Sequence, residues 1–513
     1  MQESTSDNMR IVKNTLLLYV RMFLIMAVSL YTSRVVLAAL GVTDYGIFNV
    51  VGGLVTIFSF LNAAMVTSTQ RYLTFYLGKG DQDKLTNVFT TSIQVHVIIS
   101  VIVLVLAETI GLWFLYTQMV IPQERFHAAL WVFHFSVLTM MVQIMSVPYN
   151  SIIVSHEQMG AFAYISIMEV SFKLLIAYLL TIVAFDKLIA YAILIVLIQL
   201  LIRFVYIRYC LKHFPECKVR RIWMPSLLRE IGSFAGWNLW GNLAGTLFGT
   251  GLNLLLNVFF GPVVNAARGV AHQVEAALVK FSSNFQMAVN PQITKSYAKN
   301  EIQKMYTLLF RASKFSYFLI MIFALPIMFE AEAILDIWLK TPPEHSAIFL
   351  RLTLCIVMID TLARPLMTAA AATGDVKLYQ SLMGGIMLLI VPVAYLVLKL
   401  GGSPSSVYVV HLTISIIASF VRLFIIRHMI RFPISEYFIK AIVPVLQVTT
   451  LSTASAFLIK TIFSDGIIYS FLVIALSFFA ACAMTYAIGF TTNERKFIKN
   501  KAAEMYVRVV KKQ

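Results

Sequence analysis

Charge is scarce in this 513-residue sequence: Asp, Glu, Lys and Arg together make up 13% of it, about half the share of a soluble globular chain. Acidic residues are the scarcer sign, 24 against 41 Lys and Arg. There are only four cysteines. Cys210 and Cys217 flank a basic stretch at a spacing too wide for a short zinc pair, and Cys355 and Cys482 sit in apolar runs, so no disulfide framework is implied. His96, His134, His272 and His411 are scattered, and no G-x-x-x-x-G-K-[ST] phosphate loop occurs. These absences exclude a disulfide scaffold and a self-contained ATPase, and they leave no catalytic constellation and no call for a cofactor. What is abundant is apolar: 59% hydrophobic residues and a mean hydropathy of +0.81. A soluble core does not need that excess, and a bilayer does. The sequence is that of a polytopic, all-α membrane protein.

The net charge of +17 would suggest nucleic acid in a soluble chain. No soluble basic domain is present to bind it, and the positive-inside rule accounts for the excess. The polar start MQESTSDNMR leads into an apolar run too long for a signal-peptide core, with no small-residue cleavage site behind it. The first span is therefore expected to insert and stay.

A spanning helix needs about 20 mostly apolar residues. Fourteen such runs can be marked, at 12–35, 46–70, 88–116, 126–147, 161–184, 188–208, 231–257, 263–289, 311–331, 347–371, 379–400, 405–428, 438–462 and 467–490. The weakest, 46–70 and 231–289, are rich in Gly, Asn, Ser and Thr. With the N-terminus inside, the cytoplasmic loops hold most of the Lys and Arg, including Arg203 to Arg229, Lys295 to Lys314, Arg422 to Lys440 and a tail running to Lys512. The opposite loops hold little beyond Arg125, Lys187, Lys340, Lys399 and Lys460, and one is acidic (Glu330, Glu332, Asp336, Glu344). Both termini are thus expected in the cytoplasm.

The chain also repeats itself. Leu40-Gly41 to Lys84 aligns without gaps on Phe260-Gly261 to Lys304, an offset of 220, with matches at Val50/Val270, Thr74/Thr294, Lys79/Lys299, Asp81/Glu301 and Lys84/Lys304. Six helices separate the copies, an even number, so both run the same way: a parallel repeat about an axis along the membrane normal. The expected organisation is a six-helix bundle over 1–210, a basic linker over 211–230, a second six-helix bundle over 231–430, two further helices over 431–490 and a basic tail over 491–513. Two bundles around a cavity are a transporter plan, and no pore helix or filter is evident.

Polar residues mark the expected cavity wall. On the eighth span Arg268, His272, Glu275, Ser282 and Gln286 fall within about 80° of one another. The seventh carries Asn238, Asn242, Gly245, Gly249 and Asn253 on one face, the second Asn49, Gly53, Thr56, Ala63 and Thr67, and the first Asn14, Arg21 and Thr32. Small and amide residues also pack membrane helices together, but packing does not explain an arginine, which costs at least about 2.5 kcal/mol at a helix centre. Arg21, Arg34, Arg268 and Lys280 are the candidate substrate cations, with Asn14, Asn49, Asn238, Asn242, His272 and Gln286 as polar lining. Glu169 with Lys173, and Asp360 with Arg364, are spaced i, i+4 and read as mutually neutralising pairs. Glu275 is expected to pair with Arg268 or Lys280, with a proton-relay role as the alternative. Arg351 is expected to snorkel. A cavity with surplus cations favours an anion, and guanidinium suits phosphate oxygens.

The stretch NTLLLYVRMFLIMAVSLYTSRVVLAALGVTDYGIFNVVGG from Asn14 to Gly53 resembles the N-terminus of bacterial polysaccharide-biosynthesis membrane proteins. These are the lipid-linked oligosaccharide flippases of the multidrug/oligosaccharidyl-lipid/polysaccharide exporter superfamily. The pattern R-x-x-L-x-x-L-G-x-x-x-Y-G, here Arg34, Leu37, Leu40, Gly41, Tyr45 and Gly46, carries the resemblance, and the six-plus-six-plus-two plan agrees along the whole chain. The resemblance implies an oligosaccharide on a polyprenyl diphosphate carrier, moved across the bacterial inner membrane by alternating access for O-antigen or capsule. Family members rely on cavity arginines, and Arg21, Arg34 and Arg268 fall on suitable helices. Membrane lipids, a polysaccharide polymerase and glycosyltransferases are the partners it implies. A multidrug or cation antiporter of the same superfamily is the first alternative, favoured if Glu275 or Asp360 stood unpaired. A membrane glycosyltransferase or polymerase would want larger outer loops, and a non-transporting export subunit is the last alternative.

Overall fold

Lipid offers no partner for a backbone amide, so a chain this apolar must close its hydrogen bonds within each segment, and it does so as helices. The computed structural model describes residues 2–56, 59–117, 119, 121–339, 341–463 and 466–496. Lys340 and the tail cations Lys499, Lys501, Arg508, Lys511 and Lys512 lie outside the described residues.

The order is α1 (Gln2–Thr56), α2 (Ser59–Lys79), α3 (Gln82–Leu106) continued by a π-turn at Ala107–Gly111 into α4 (Leu112–Thr117), α5 (Gln123–Ser155), α6 (Met159–Ile182) and α7 (Lys187–His213). The second half runs α8 (Pro225–Phe260), α9 (Pro262–Ala298), α10 (Ile302–Phe329), the short α11 (Ala331–Leu339), α12 (Ser346–Thr373), α13 (Lys377–Lys399) and α14 (Ser406–Ile430). It ends with α15 (Ile434–Tyr437), α16 (Val443–Ile462) and α17 (Ile467–Met484). Twelve helical segments among the described residues are long and apolar enough to cross a membrane. The two other expected spans, 46–70 and 263–289, are not among those twelve: the described parts of the first are α1 beyond Gly41 and the start of α2, and the second lies in α9, which carries Arg268, Glu275 and Lys280. Large apolar side chains stand exposed along these helices, Ile182 at 78% and Phe204 at 63% among them, as lipid-facing surface requires.

The repeat is written into the backbone. Gly41 and Gly261 both take φ near +80° (79° and 80°), where α1 breaks and where α8 gives way to α9. Thirty-nine residues on, Gly80 (φ 71°) and Asn300 (φ 61°) end α2 and α9 in the same way. The Gly80 and Asp81 amides donate to the Leu77 and Tyr76 carbonyls, and those of Asn300 and Glu301 to Tyr297 and Ser296. This left-handed cap uses the two residue types that tolerate it best. The duplication extends beyond Lys84 at an offset of 217: Pro148 and Pro365 sit inside α5 and α12, and Glu157 (φ 60°) and Gly374 (φ 88°) follow those helices.

The chain forms two compact units. The first comprises 1–243, 287–302 and 371–381, and the second 244–286, 303–370 and 382–513. The first holds apolar clusters around Phe89, Tyr72 and Ile202, around Phe133, Ile144 and Val51, and a smaller one around Leu18, Met159 and Ala288. The core of the second gathers around Phe318, Met321, Phe349 and Leu354.

Ion pairs within the first unit group its connections by end. Arg125 binds Asp44 at 2.5 Å and Asp186 at 2.6 Å, bringing three loops of one side together. Burial opposes ionisation of Asp186, but Arg125 and the amides of Ile189 and Leu188 outweigh it and hold that carboxyl below its ordinary range. Three other connections meet where Glu216 accepts from Gln82 (3.1 Å) and lies 2.5 Å from His156 Nε2, whose ring stacks on Phe214. Burial again opposes ionisation there, and His156 with the Glu216 amide and Gln82 reverses it, leaving the Glu216 pKa low.

Candidate functional site

Helix α9 is amphipathic in an unusual sense: it breaks the apolar pattern with Arg268, His272 and Glu275 along one face. In the second unit that face borders a cavity of about 560 Å³ whose other walls come from α8, α12 and α14. Glycines on α8, Gly245 and Gly249, leave room for it, and Arg268 Nη2 donates to the Gly249 carbonyl at 3.1 Å. Tyr408 and His411 of α14 and Thr353 of α12 complete the polar lining. His272 Nδ1 lies 3.0 Å from Glu275 Oε2, and Arg268, one of the partners expected from sequence, also stands in electrostatic range of Glu275. Asp360 stands in electrostatic range of Arg364 and Arg422, and Asp360 and Arg364 also of Glu275. Arg364 additionally reaches Ser283 Oγ at 3.4 Å. This cluster contains three arginines (Arg268, Arg364, Arg422) and two carboxylates (Glu275, Asp360), a surplus of one cation. Gln286, expected to line a cavity, is buried and donates to Ser282 (3.1 Å) and Ser316 (3.3 Å). Lys280 is exposed and does not line the cavity.

The first unit holds a second charged cluster. Arg21 of α1 lies over the Phe162 ring at 4.5 Å, and its buried Nε has no hydrogen-bond partner. Its electrostatic neighbours are Tyr206 and Glu169. Glu169 Oε1 accepts from Lys173 at 2.6 Å, the i, i+4 pair read from sequence, and from Gln199 of α7 at 2.9 Å. Two cations again face one carboxylate. Arg34 is exposed. Asn238 is buried, donating to the Phe234 carbonyl (2.9 Å) and accepting from Gln380 (2.9 Å); Asn242 lies one turn further along α8.

Asn14 does different work from the lining role expected of it. Its Nδ2 donates to the Glu157 carbonyl at 3.1 Å. The Glu157 side chain, 2% exposed, accepts from Lys295 Nζ (2.6 Å) and Gln292 Nε2 (3.1 Å), with Arg10 at 3.5 Å. Nearby in the same unit, buried Arg71 donates to the Ala371 (3.1 Å) and Ala372 (3.0 Å) carbonyls, satisfying the C-terminal end of α12. Sequence reasoning noted the loop basicity of Lys295 but not this network, because its acceptor sits on a left-handed turn with no motif. Arg351 also departs from simple snorkelling: it donates to the Met328 carbonyl at 2.9 Å and forms a two-pronged pair with Glu332 on α11.

A smaller cavity of about 360 Å³ lies wholly in the first unit, among α1, α5 and α7 and the Asn62 turn of α2. Asn49 is on its wall, with Nδ2 donating back to the Tyr45 carbonyl at 2.8 Å. Gln143, Ser136, Thr139 and Asn62 join it. Of the expected lining on this span, the side chain of Thr56 lies outside the described residues.

The fold that holds these sites is that of known transporters. No protein-family model matches the chain, and no curated protein matches it in sequence. Among solved structures, an outward-facing multidrug-resistance MATE-family transporter of the MOP superfamily matches at a TM-score of 0.71 and 12% identity, over 82% of this chain and 95% of its own. A MOP-superfamily transporter from Pyrococcus furiosus, described as having a binding pocket of reverse polarity that suggests a different function, matches at 0.70 and 13%, over 82% and 95%. The MATE transporter ClbM in complex with Rb+ matches at 0.69 and 14%, over 82% and 96%. At these identities the likeness establishes the architecture: a multi-pass, all-α MATE-like fold of two repeated bundles.

Proposed function

We propose that the protein is a flippase that moves a polyprenyl-diphosphate-linked oligosaccharide across the bacterial inner membrane by alternating access, with both termini cytoplasmic. The observation that carries the reading is the surplus of guanidinium and ammonium over carboxylate in the partly buried charged cluster of each unit, with Arg21 Nε left without a hydrogen-bond partner. A buried guanidinium N–H without an acceptor is costly, and a bound anion relieves that cost. A diphosphate supplies the charge and the oxygen geometry that guanidinium matches. The lipid tail stays in the bilayer while the headgroup, which hydrocarbon excludes, crosses in a polar environment. The reverse-polarity pocket described for the Pyrococcus furiosus transporter supports a change of substrate class within one architecture.

A second reading, an ion-coupled multidrug or cation antiporter, would draw on Glu275 at the larger cavity and on Asp360, both of which have neighbouring partners here. The discriminating experiment reconstitutes the protein in liposomes with a fluorescent polyprenyl-diphosphate oligosaccharide, with and without a proton or sodium gradient. Translocation that falls at least about tenfold in Arg21→Ala and Arg268→Ala, each as folded as the parent, is the expected outcome; a factor of ten corresponds to ~1.4 kcal/mol. Undiminished translocation in both variants would remove the cationic clusters from the mechanism. Exchange of a lipophilic cation for protons, without lipid movement, would establish the antiporter.

A further inference from the structure

The two cavities are copies of one another. At the 220 offset Phe48 corresponds to Arg268 and Val55 to Glu275. At the 217 offset Ser136 corresponds to Thr353, Gln143 to Asp360 and Tyr191 to Tyr408. Phe48 packs against Tyr191 at a tilt, with ring centroids 4.6 Å apart, and at the equivalent place Arg268 neighbours Tyr408. The duplicated architecture thus keeps the tyrosine and the hydroxyl, while every charged group of the second copy is replaced in the first by an aromatic, an aliphatic or an amide.

We propose that the cavity of the first unit is a binding site for the uncharged sugar residues of the headgroup. This deepens the flippase reading and rests on it. No Lys, Arg, Asp or Glu is among the described residues that line the cavity, so it holds nothing to neutralise a diphosphate. Its chemistry is that of a pyranose ring, which shows hydroxyls at its rim and C–H groups on its faces. Asn62 and Gln143 each offer a donor and an acceptor in one plane, Ser136 and Thr139 offer hydroxyls, and Phe48 and Phe135 give apolar faces. Asn62 Oδ1 is buried without a hydrogen-bond partner, an acceptor that a ligand hydroxyl would satisfy. The volume, about 360 Å³, falls in the range of small-molecule sites. An apolar wall with a few convergent polar atoms also gives specificity, because a ligand lacking the hydroxyls leaves those atoms unpaired.

The test compares two lipids on the full-length protein in nanodiscs: a polyprenyl diphosphate bearing a neutral trisaccharide, and the same carrier without sugar. The readout is the ratio of the two affinities. In the parent the glycosylated lipid is expected to bind about tenfold tighter. Asn62→Leu and Gln143→Leu are each expected to bring that ratio close to one, and Arg268→Ala to weaken both lipids while leaving the ratio. Asn62→Gln, which restores an amide, should recover part of it, and this separates recognition from misfolding. A parent that binds both lipids equally, or a ratio unchanged in both leucine variants, would overturn the sugar site and leave the flippase standing. A parent that binds neither lipid but takes up a lipophilic cation would overturn the flippase reading and the sugar site with it.

Discussion

The Glu157 carboxylate is a buried charge with three side-chain partners, and replacing it should unmask a large stability term. It is 2% exposed and holds Lys295 (20% exposed) at 2.6 Å, Gln292 at 3.1 Å and the half-exposed Arg10 at 3.5 Å. Removing one partner of a buried pair leaves the other charge uncompensated, which costs about 3–5 kcal/mol. Glu157→Gln retains an oxygen for Gln292, so a loss near the lower end, about 3 kcal/mol, is expected. Lys295→Met leaves the carboxylate with Gln292 and a solvent-screened Arg10, and should cost a similar amount. The double variant buries neither charge. It should lose less than the sum of the two by about 1–3 kcal/mol, within the coupling range of contacting residues. The assay is denaturant titration of the purified protein in mixed micelles for the four members of the cycle. Additive losses, agreeing within about 0.5 kcal/mol, would show that the pair is not coupled and would refute this account of the network.

Two further perturbations are informative. Gly374→Ala places a Cβ 2.5 Å from Arg71 Nη2 on a residue with φ +88°, whereas Gly80→Ala (φ +71°) meets nothing within 4 Å. Both should lose the backbone term of about 1–2 kcal/mol, and Gly374→Ala distinctly more as Arg71 is pushed off its carbonyls; equal losses by denaturation would contradict the contact. The low pKa of Glu216 makes a contribution that is fully present above the ordinary carboxylate value, about 4.3, and is lost as pH falls through the lower folded value. Glu216→Gln should therefore flatten the acid limb of the stability profile, and an unchanged limb would remove this carboxylate from it.

Much of the fold was legible because lipid imposes it. Twelve of the fourteen marked runs coincide with helices apolar enough to span, and the break at Gly41 falls where two runs meet. The weak runs were 46–70 and 231–289, and of these 231–257 falls in a helix apolar enough to span; residues such as Asn49, Asn253, Arg268 and Glu275, which border cavities, dilute the hydropathy. The Glu169–Lys173 pair was readable from its spacing. The Asn14–Glu157 contact was not, since it depends on a left-handed turn 143 residues away. Nor was the amide cavity: Gln143 and Ser136 lie beyond the gapless stretch of the repeat, and neutral residues carry no charge signal to mark them. The shift of offset from 220 to 217 hides their correspondence with Asp360 and Thr353 until the backbone markers at Pro148 and Pro365 are aligned.

The polarity of α9 bears on how the protein is made. A helix carrying Arg268, Glu275 and Lys280 meets a cost of about 2.5–3.5 kcal/mol for each such charge that lies near the bilayer centre during insertion. The helices on either side in sequence, α8 and α10, each contain an apolar stretch long enough to span. Biogenesis then has an order: α9 enters the bilayer in company, once its neighbours can shield its charged face, and a ribosome stalled before α10 emerges should leave it outside the lipid.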